Sequence, residues 1–134
     1  MRIQQVAVTP DPYAPFRLAQ AHRVGDLLFV SGQAAIDNDG VIVGVGDFDT
    51  QANRAFENLQ RVLRAGGSSL ENVVKVTIYL TDMSHFEDIV ELRGKWFSPP
   101  YPADTIVEVR SLYSPDAMIE IEAIAVVDEA ADWA

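Results

Sequence analysis

The sequence predicts an α+β two-layer sandwich, a mixed β-sheet with two helices on one face. Three observations carry that prediction. Strand-like and helix-like segments follow in the order strand, strand, helix, strand, helix, strand, strand, with a further N-terminal strand near residues 3–8. Both helical stretches are amphipathic, so each has one face to bury. The strand segments alternate apolar and polar residues, the pattern of a sheet covered on one side. At 134 residues, 49% hydrophobic and 22% charged, the chain fits one globular domain over residues 1–134.

From Gln20 to Ser31, "QAHRVGDLLFVS" predicts two strands around Gly25-Asp26, a dipeptide suited to a tight hairpin turn. "DNDGVIVGVG", Asp37 to Gly46, predicts a loop whose glycines permit positive φ. Between Asp49 and Ala65, Ala52, Ala55, Phe56, Leu59, Val62 and Leu63 recur at three- and four-residue intervals and define one helix face. Asp49 or Thr50 is positioned to cap its first turn, and Gly66-Gly67 to end it.

Val73 to Leu80 alternates, which predicts a strand with Val74, Val76, Ile78 and Leu80 on the covered side and Lys75, Thr77 and Tyr79 on the other. Ser84 and Glu87 have the spacing of a capping box, opening a second helix through Phe86, Ile89, Val90, Trp96 and Phe97. Pro99-Pro100 must end it. The last strands are Asp104 to Arg110 and Ala117 to Val127, joined by the turn chemistry of "SLYSPD", and residues 128–134 are expected to form a surface tail.

Composition excludes several chemistries. Without cysteine there is no disulfide, thiolate nucleophile or sulfur-based zinc site. His22 and His85 are far apart and lack companions at metal-ligand spacing, so no metal is expected. A net charge of −10 repels phosphate backbones and disfavours nucleic acid as a partner. No apolar run approaches the roughly 20 residues needed to span a bilayer, and "MRIQQVAVTP" lacks a signal-peptide core, which together lead to the expectation of a cytoplasmic protein without a membrane partner. "VSGQ" is not a nucleophile elbow, and "GVIVGVG" lacks the Gly-Lys-Ser ending of a phosphate loop.

The final strands raise a problem of sidedness. Alternation groups Thr105, Val107 and Val109 against Asp104, Ile106, Glu108 and Arg110, and Ile119, Ile121, Ala123 and Ala125 against Met118, Glu120, Glu122, Ile124 and Val126. With the helices over the purely apolar sets, the second face mixes carboxylates with large apolar groups. Another subunit packed there resolves the mixture and leaves Glu120 or Glu122 in a partly dry cleft, where a carboxylate has a raised pKa and can act on water. The alternative is a structural charge network in which Lys75 and Arg110 pair with Glu108, Glu120 and Glu122. Ser31-Gly32, a small residue and a glycine at a strand end, offers backbone donors for a substrate carboxylate.

"RVGDLLFVSGQ", "TQANRAFENLQRVLRAGGSSLENVVKVTIYLTDM" and "PADTIVEV…IEIEAIAV" resemble the Rid (YjgF-type) family, over about residues 19–127. The resemblance implies a chorismate-mutase-like fold, a homotrimer, and inter-subunit clefts that bind small carboxylic acids. It also implies hydrolysis of reactive enamines or imines to a carbonyl compound and ammonia, without metal or organic cofactor. The family's water-orienting glutamate matches Glu120. Its substrate-clamping arginine after Pro-Ala is replaced by Asp104, which suits a cationic or amino-bearing ligand and is the candidate second acid. Thr105 and Ile106 match the next two positions, the Ile106 N–H being a substrate donor. The family's cleft tyrosine falls on Leu18, with Phe16 as a neighbouring aromatic, and its helix asparagine falls on Val90. Arg17 is the candidate for a displaced clamp. The same clefts also suit a non-catalytic metabolite-binding trimer, whereas the endoribonuclease label attached to this family fits poorly with the charge.

Overall fold

The structure, a computed structural model, describes residues 2–128. Six strands form one sheet: β1 (Ile3–Gln5), β2 (Ala21–Val24), β3 (Leu27–Ala34), β4 (Val73–Leu80), β5 (Ala103–Glu108) and β6 (Ile119–Val126), in the spatial order β1-β2-β3-β6-β4-β5. β4 and β5 run parallel and every other pair is antiparallel. The parallel pair needs a crossover, and α2 (Phe86–Trp96) supplies it. Together with α1 (Phe48–Ala65) it forms the second layer, so the predicted two-layer chorismate-mutase-like sandwich is the observed architecture. The expected N-terminal strand and the Gly25-Asp26 hairpin both form, with Gly25 at φ 60°. Among the described residues no helix is long and apolar enough to cross a membrane.

Burial of the α1 stripe makes the core. Ala52, Ala55, Phe56, Leu59 and Leu63 are fully enclosed against Leu28, Val76, Ile78, Ile119 and Ile121 from the sheet. At roughly 1.5–3 kcal/mol for each large apolar side chain removed from water, this face is the main source of stability. Its entry differs from expectation. Asp47, not Asp49 or Thr50, is the N-cap, accepting from the Thr50 backbone N–H at 3.2 Å and the Thr50 hydroxyl at 2.7 Å. The Ser84–Glu87 capping box is also absent: Asp82 accepts from the Ser84 N–H at 2.9 Å, a 3-10 turn occupies Met83–His85, and α2 starts after it.

Two strand faces differ as well. A register shift between Val73 and Lys75 leaves Val73 buried and Val74 45% exposed, so the covered side is Val73, Val76, Ile78 and Leu80. One extra residue reverses the side to which its predecessors point. In β5 the predicted faces are interchanged. Parallel register sets Asp104 beside Val76 and Ile106 beside Ile78, both buried, so Asp104 and Ile106 face the helices while Thr105 and Val107 lie with Thr77 and Tyr79 on the open face. Apolar count misassigned this edge strand because the helix layer there supplies Arg93, which satisfies the Asp104 charge. β6 is as predicted, with Ile119, Ile121, Ala123 and Ala125 buried under the helices and Glu120, Glu122, Ile124 and Val126 on the open face. Residues 129–134 of the expected tail lie outside the described residues.

Candidate functional site

The centre of the open face is where β3 and β6 pair, and their ladder is interrupted. Val30 is opposite Ala123 and Gln33 opposite Ile121, so Ser31-Gly32 occupies an irregularity in β3. Such a bulge re-aims the strand beside its neighbour. Glu120 lies against Gly32 so closely that a Cβ on that glycine would sit 2.6 Å from both its Cδ and Oε2. Gly32 is therefore a glycine because the Glu120 carboxyl rests on its α-carbon. Half-burial raises the Glu120 pKa, and the charge of Glu122 adds to the effect. Glu122 in turn accepts the Tyr79 hydroxyl.

Tyr13 fixes the bulge from outside the sheet. Its hydroxyl donates to the Gly32 carbonyl at 2.7 Å and accepts from the Ala34 N–H at 3.2 Å, and burial pushes its pKa up to about 12. Ser31 is similarly committed, its Oγ donating to the Ala19 carbonyl at 2.5 Å and its N–H to the Gln20 carbonyl at 2.9 Å. The expectation that the Ser31 backbone donor is open to a ligand is thus corrected, because the chain entering β2 takes it. Above these groups lies a cavity of about 370 Å³ whose remaining walls are Phe16, Leu18 and Tyr113. Phe16 and Tyr113 meet edge to face at 6.0 Å and 70°. A carboxyl with a raised pKa in an apolar cleft is a stronger base than one in open water and is equipped to take a proton from a water beside it.

The fold brings together Glu120, Ser31, Gly32 and Leu18, with Phe16 beside them. Arg17 does not line the cavity; it ends the 3-10 turn Ala14–Phe16 at φ 61° with an exposed side chain. Asp104, Thr105, Ile106 and Val90 lie elsewhere. β4 separates β5 from β6, and Asp104 projects to the opposite side of the sheet from Glu120, so within one chain the two acids do not meet. Nor is Asp104 a free acid. The Arg93 Nε and Nη2 donate to its two carboxylate oxygens at 2.9 and 3.0 Å, a bidentate pair. Val90 is 46% exposed on the same helix, Ile106 packs on the core edge, and Thr105 Oγ1 accepts from Lys75 Nζ at 2.5 Å.

Among the described residues no ion pair joins Lys75 or Arg110 to Glu108, Glu120 or Glu122, which argues against the alternative charge network. Lys75 is bound to Thr105, Glu122 to Tyr79, and Glu108 accepts from the Met83 N–H at 2.8 Å. The sequence reading missed Tyr13 and Tyr113, which lie in proline-flanked turns ("DPYAP" and "LYSPD") and carry no periodic signal. An aromatic residue in a turn is the only cue, and it is ambiguous. Among the described residues no group of three or more His, Asp or Glu is placed to hold a metal ion.

Fold and site together define a chorismate-mutase-like α+β domain with a glycine-seated carboxyl in an apolar cavity on its open sheet face. Comparison with known sequences narrows this further. The chain belongs to the Rid (YjgF) family, whose sequence profile, described as endoribonuclease L-PSP, matches residues 7–127. A RutC family protein of Pyrococcus abyssi is 40% identical over 116 residues, 87% of this chain and 89% of its own. A protein of Dermatophagoides farinae named 2-iminobutanoate/2-iminopropanoate deaminase is 32% identical over 127 residues, covering 95% of this chain and 97% of its own. The crystal structure of RidA from an Antarctic Psychrobacter superposes with a TM-score of 0.85 at 34% identity, over 92% of this chain and 99% of that one.

Proposed function

We propose that the chain is a Rid-family hydrolase that converts a small reactive enamine or imine to a carbonyl compound and ammonia. The observation that carries this reading is the half-buried Glu120 carboxyl, its pKa raised, seated on Gly32 in an apolar cavity. The deaminase name of the Dermatophagoides relative supports the reaction class. Glu120 holds the attacking water and takes its proton; burial makes the carboxylate a stronger base than it is in solution. The Tyr13 phenol, which donates its proton to the Gly32 carbonyl and accepts from the Ala34 N–H, fixes the bulge and takes no part in proton transfer. The reaction as written needs water and no cofactor.

We further propose that the working form is a homotrimer. On the open face Leu27 pairs with Val126 and Phe29 with Ile124, an apolar patch next to Glu120 with no helix over it. Association there covers the patch and lets the β5–α2 edge of a second copy, with Thr105, Ile106 and Val90, approach the Glu120 cavity. Asp104 enters such a cleft already neutralised by Arg93, so the role of second acid falls away and that of a structural ion-pair partner replaces it.

The test is ammonia release from imines generated in place by an amino acid oxidase or a dehydratase, with wild type and Glu120→Ala side by side. Equal rates for the two would eliminate the hydrolase. A non-catalytic metabolite-binding trimer is the second reading, favoured by the acid standing where the family clamps a carboxylate. Thermal stabilisation by compounds that are not turned over would select it. RNA cleavage, which the profile's description names, fits poorly with a chain of net charge −10.

A further inference from the structure

Resting on the reading of Glu120 as the base that activates water, we infer that the substrate is the iminium ion of a primary amine. It bears an aromatic or bulky aliphatic group and no carboxylate.

Size is the first reason. A cavity of about 370 Å³ has room for about a dozen waters at roughly 30 Å³ each, far more than a three- or four-carbon substrate displaces. The walls are the second. Phe16, Leu18 and Tyr113 are all substantially exposed, and Phe16 and Tyr113 pair edge to face on the cavity wall. Pockets so lined take ligands with matching apolar groups, and ring faces attract cations.

Charge is the third. None of the described residues lining the cavity is Lys, Arg or His, and its one acidic side chain is Glu120 with Glu122 behind it. Of the donors on the cavity wall, the Tyr13 hydroxyl is committed to Gly32 and the Ser31 hydroxyl and N–H to Ala19 and Gln20, which leaves a carboxylate only neutral donors such as the Tyr113 hydroxyl. Arg17 is not among the residues that line the cavity, and Arg93, which a second copy would bring toward it with β5 and α2, arrives with its guanidinium already paired to Asp104. A ligand carboxylate would meet like charge without a counter-ion. An iminium N–H gains a charge-assisted hydrogen bond to Glu120 instead.

The chemistry balances with water alone. Glu120 takes a proton from water as the oxygen bonds to the iminium carbon and the C=N π pair moves to nitrogen, giving a neutral carbinolamine. The proton on Glu120 passes to that nitrogen. The C–N bond then breaks with its pair leaving on ammonia, while the carbinol O–H proton returns to Glu120 and the C=O bond forms. Ammonia leaves as ammonium with that proton and restores the carboxylate. The reaction that supplies such a substrate is the oxidation of a primary amine.

Phenylalanine and 2-phenylethylamine differ only by the carboxylate, so their imines isolate the proposal. Each is generated in place, by a flavin-dependent amino acid oxidase or amine oxidase, and ammonium release above the uncatalysed rate is followed. The expected result is a kcat/KM at least tenfold higher for the amine-derived imine. Preference for the imino acid, or equal rates, overturns the inference while leaving imine hydrolysis standing. If neither imine is turned over, the hydrolase reading fails, and thermal-shift titration with 2-phenylethylammonium and with phenylacetate still decides the ligand class. Stabilisation by the ammonium alone, abolished in Glu120→Ala, supports it. Stabilisation by phenylacetate, by both compounds equally, or by neither overturns it.

Discussion

Gly32→Ala tests the site with the smallest possible perturbation. Gly32 does not have positive φ, so the backbone accepts alanine without strain, and in isolation the change would reduce unfolded-state entropy and stabilise by about 0.4–1 kcal/mol. The added Cβ, however, would lie 2.6 Å from Glu120 Cδ and Oε2 and 2.9 Å from Cγ. Ordinary contact begins near 3.4 Å, so the carboxyl must retreat by about 1 Å, and because it is the far end of a flexible side chain it is the part that gives. The fold should persist, with stability by urea denaturation within about 1 kcal/mol of wild type. Turnover should fall by about 100-fold, the scale expected for a 1 Å displacement of a catalytic group. Adding Glu120→Ala should then cost little more, since both changes remove the same function. An NMR titration of the Glu120 carboxyl gives a readout independent of activity: displaced from its half-buried seat, it should titrate closer to its ordinary 4.5. Wild-type turnover together with an unchanged titration would refute the steric argument.

Other predictions follow from the same geometry. Glu120→Gln should stabilise the fold at pH 7, because a carboxyl whose folded pKa lies above its unfolded value destabilises the native state once ionised. The gain should be largest above the folded pKa and vanish as pH falls below about 4.5, which melting temperatures from pH 4 to 8 would show. Arg93→Ala should cost about 1–3 kcal/mol by urea denaturation, since the pair is bidentate and its side chains are only 25% and 18% exposed. Asp104→Arg alone, although it installs the family's arginine, should destabilise by setting two guanidinium groups together. The exchange Arg93→Asp with Asp104→Arg should recover much of that loss, and no recovery would show that the pair is not the determinant. Tyr13→Phe should cost about 1–3 kcal/mol in the same assay by stripping the Gly32 carbonyl and Ala34 N–H of their partner.

The sequence was most legible where many residues agree. The α1 stripe and the β6 alternation each repeat their period several times, so single irregularities could not mislead, and Glu120 inherited its face from β6. Legibility failed where one residue decides. The register shift after Val73 turned Val74 outward, and Asp82 and Asp47 capped helices that nearer candidates seemed to serve. β5, at the sheet edge, has no fully buried face for periodicity to report.

By itself, then, the sequence determined the two-layer fold, the order of its elements and the face on which Glu120 stands, because hydrophobic periodicity is a local property of each segment. Only the tertiary structure decided what surrounds that carboxyl. Gly32, Tyr13, Phe16 and Tyr113 reach it from distant parts of the chain, and Asp104 is claimed by Arg93 from the helix layer. Those are contacts between segments, and no spacing within a segment encodes them.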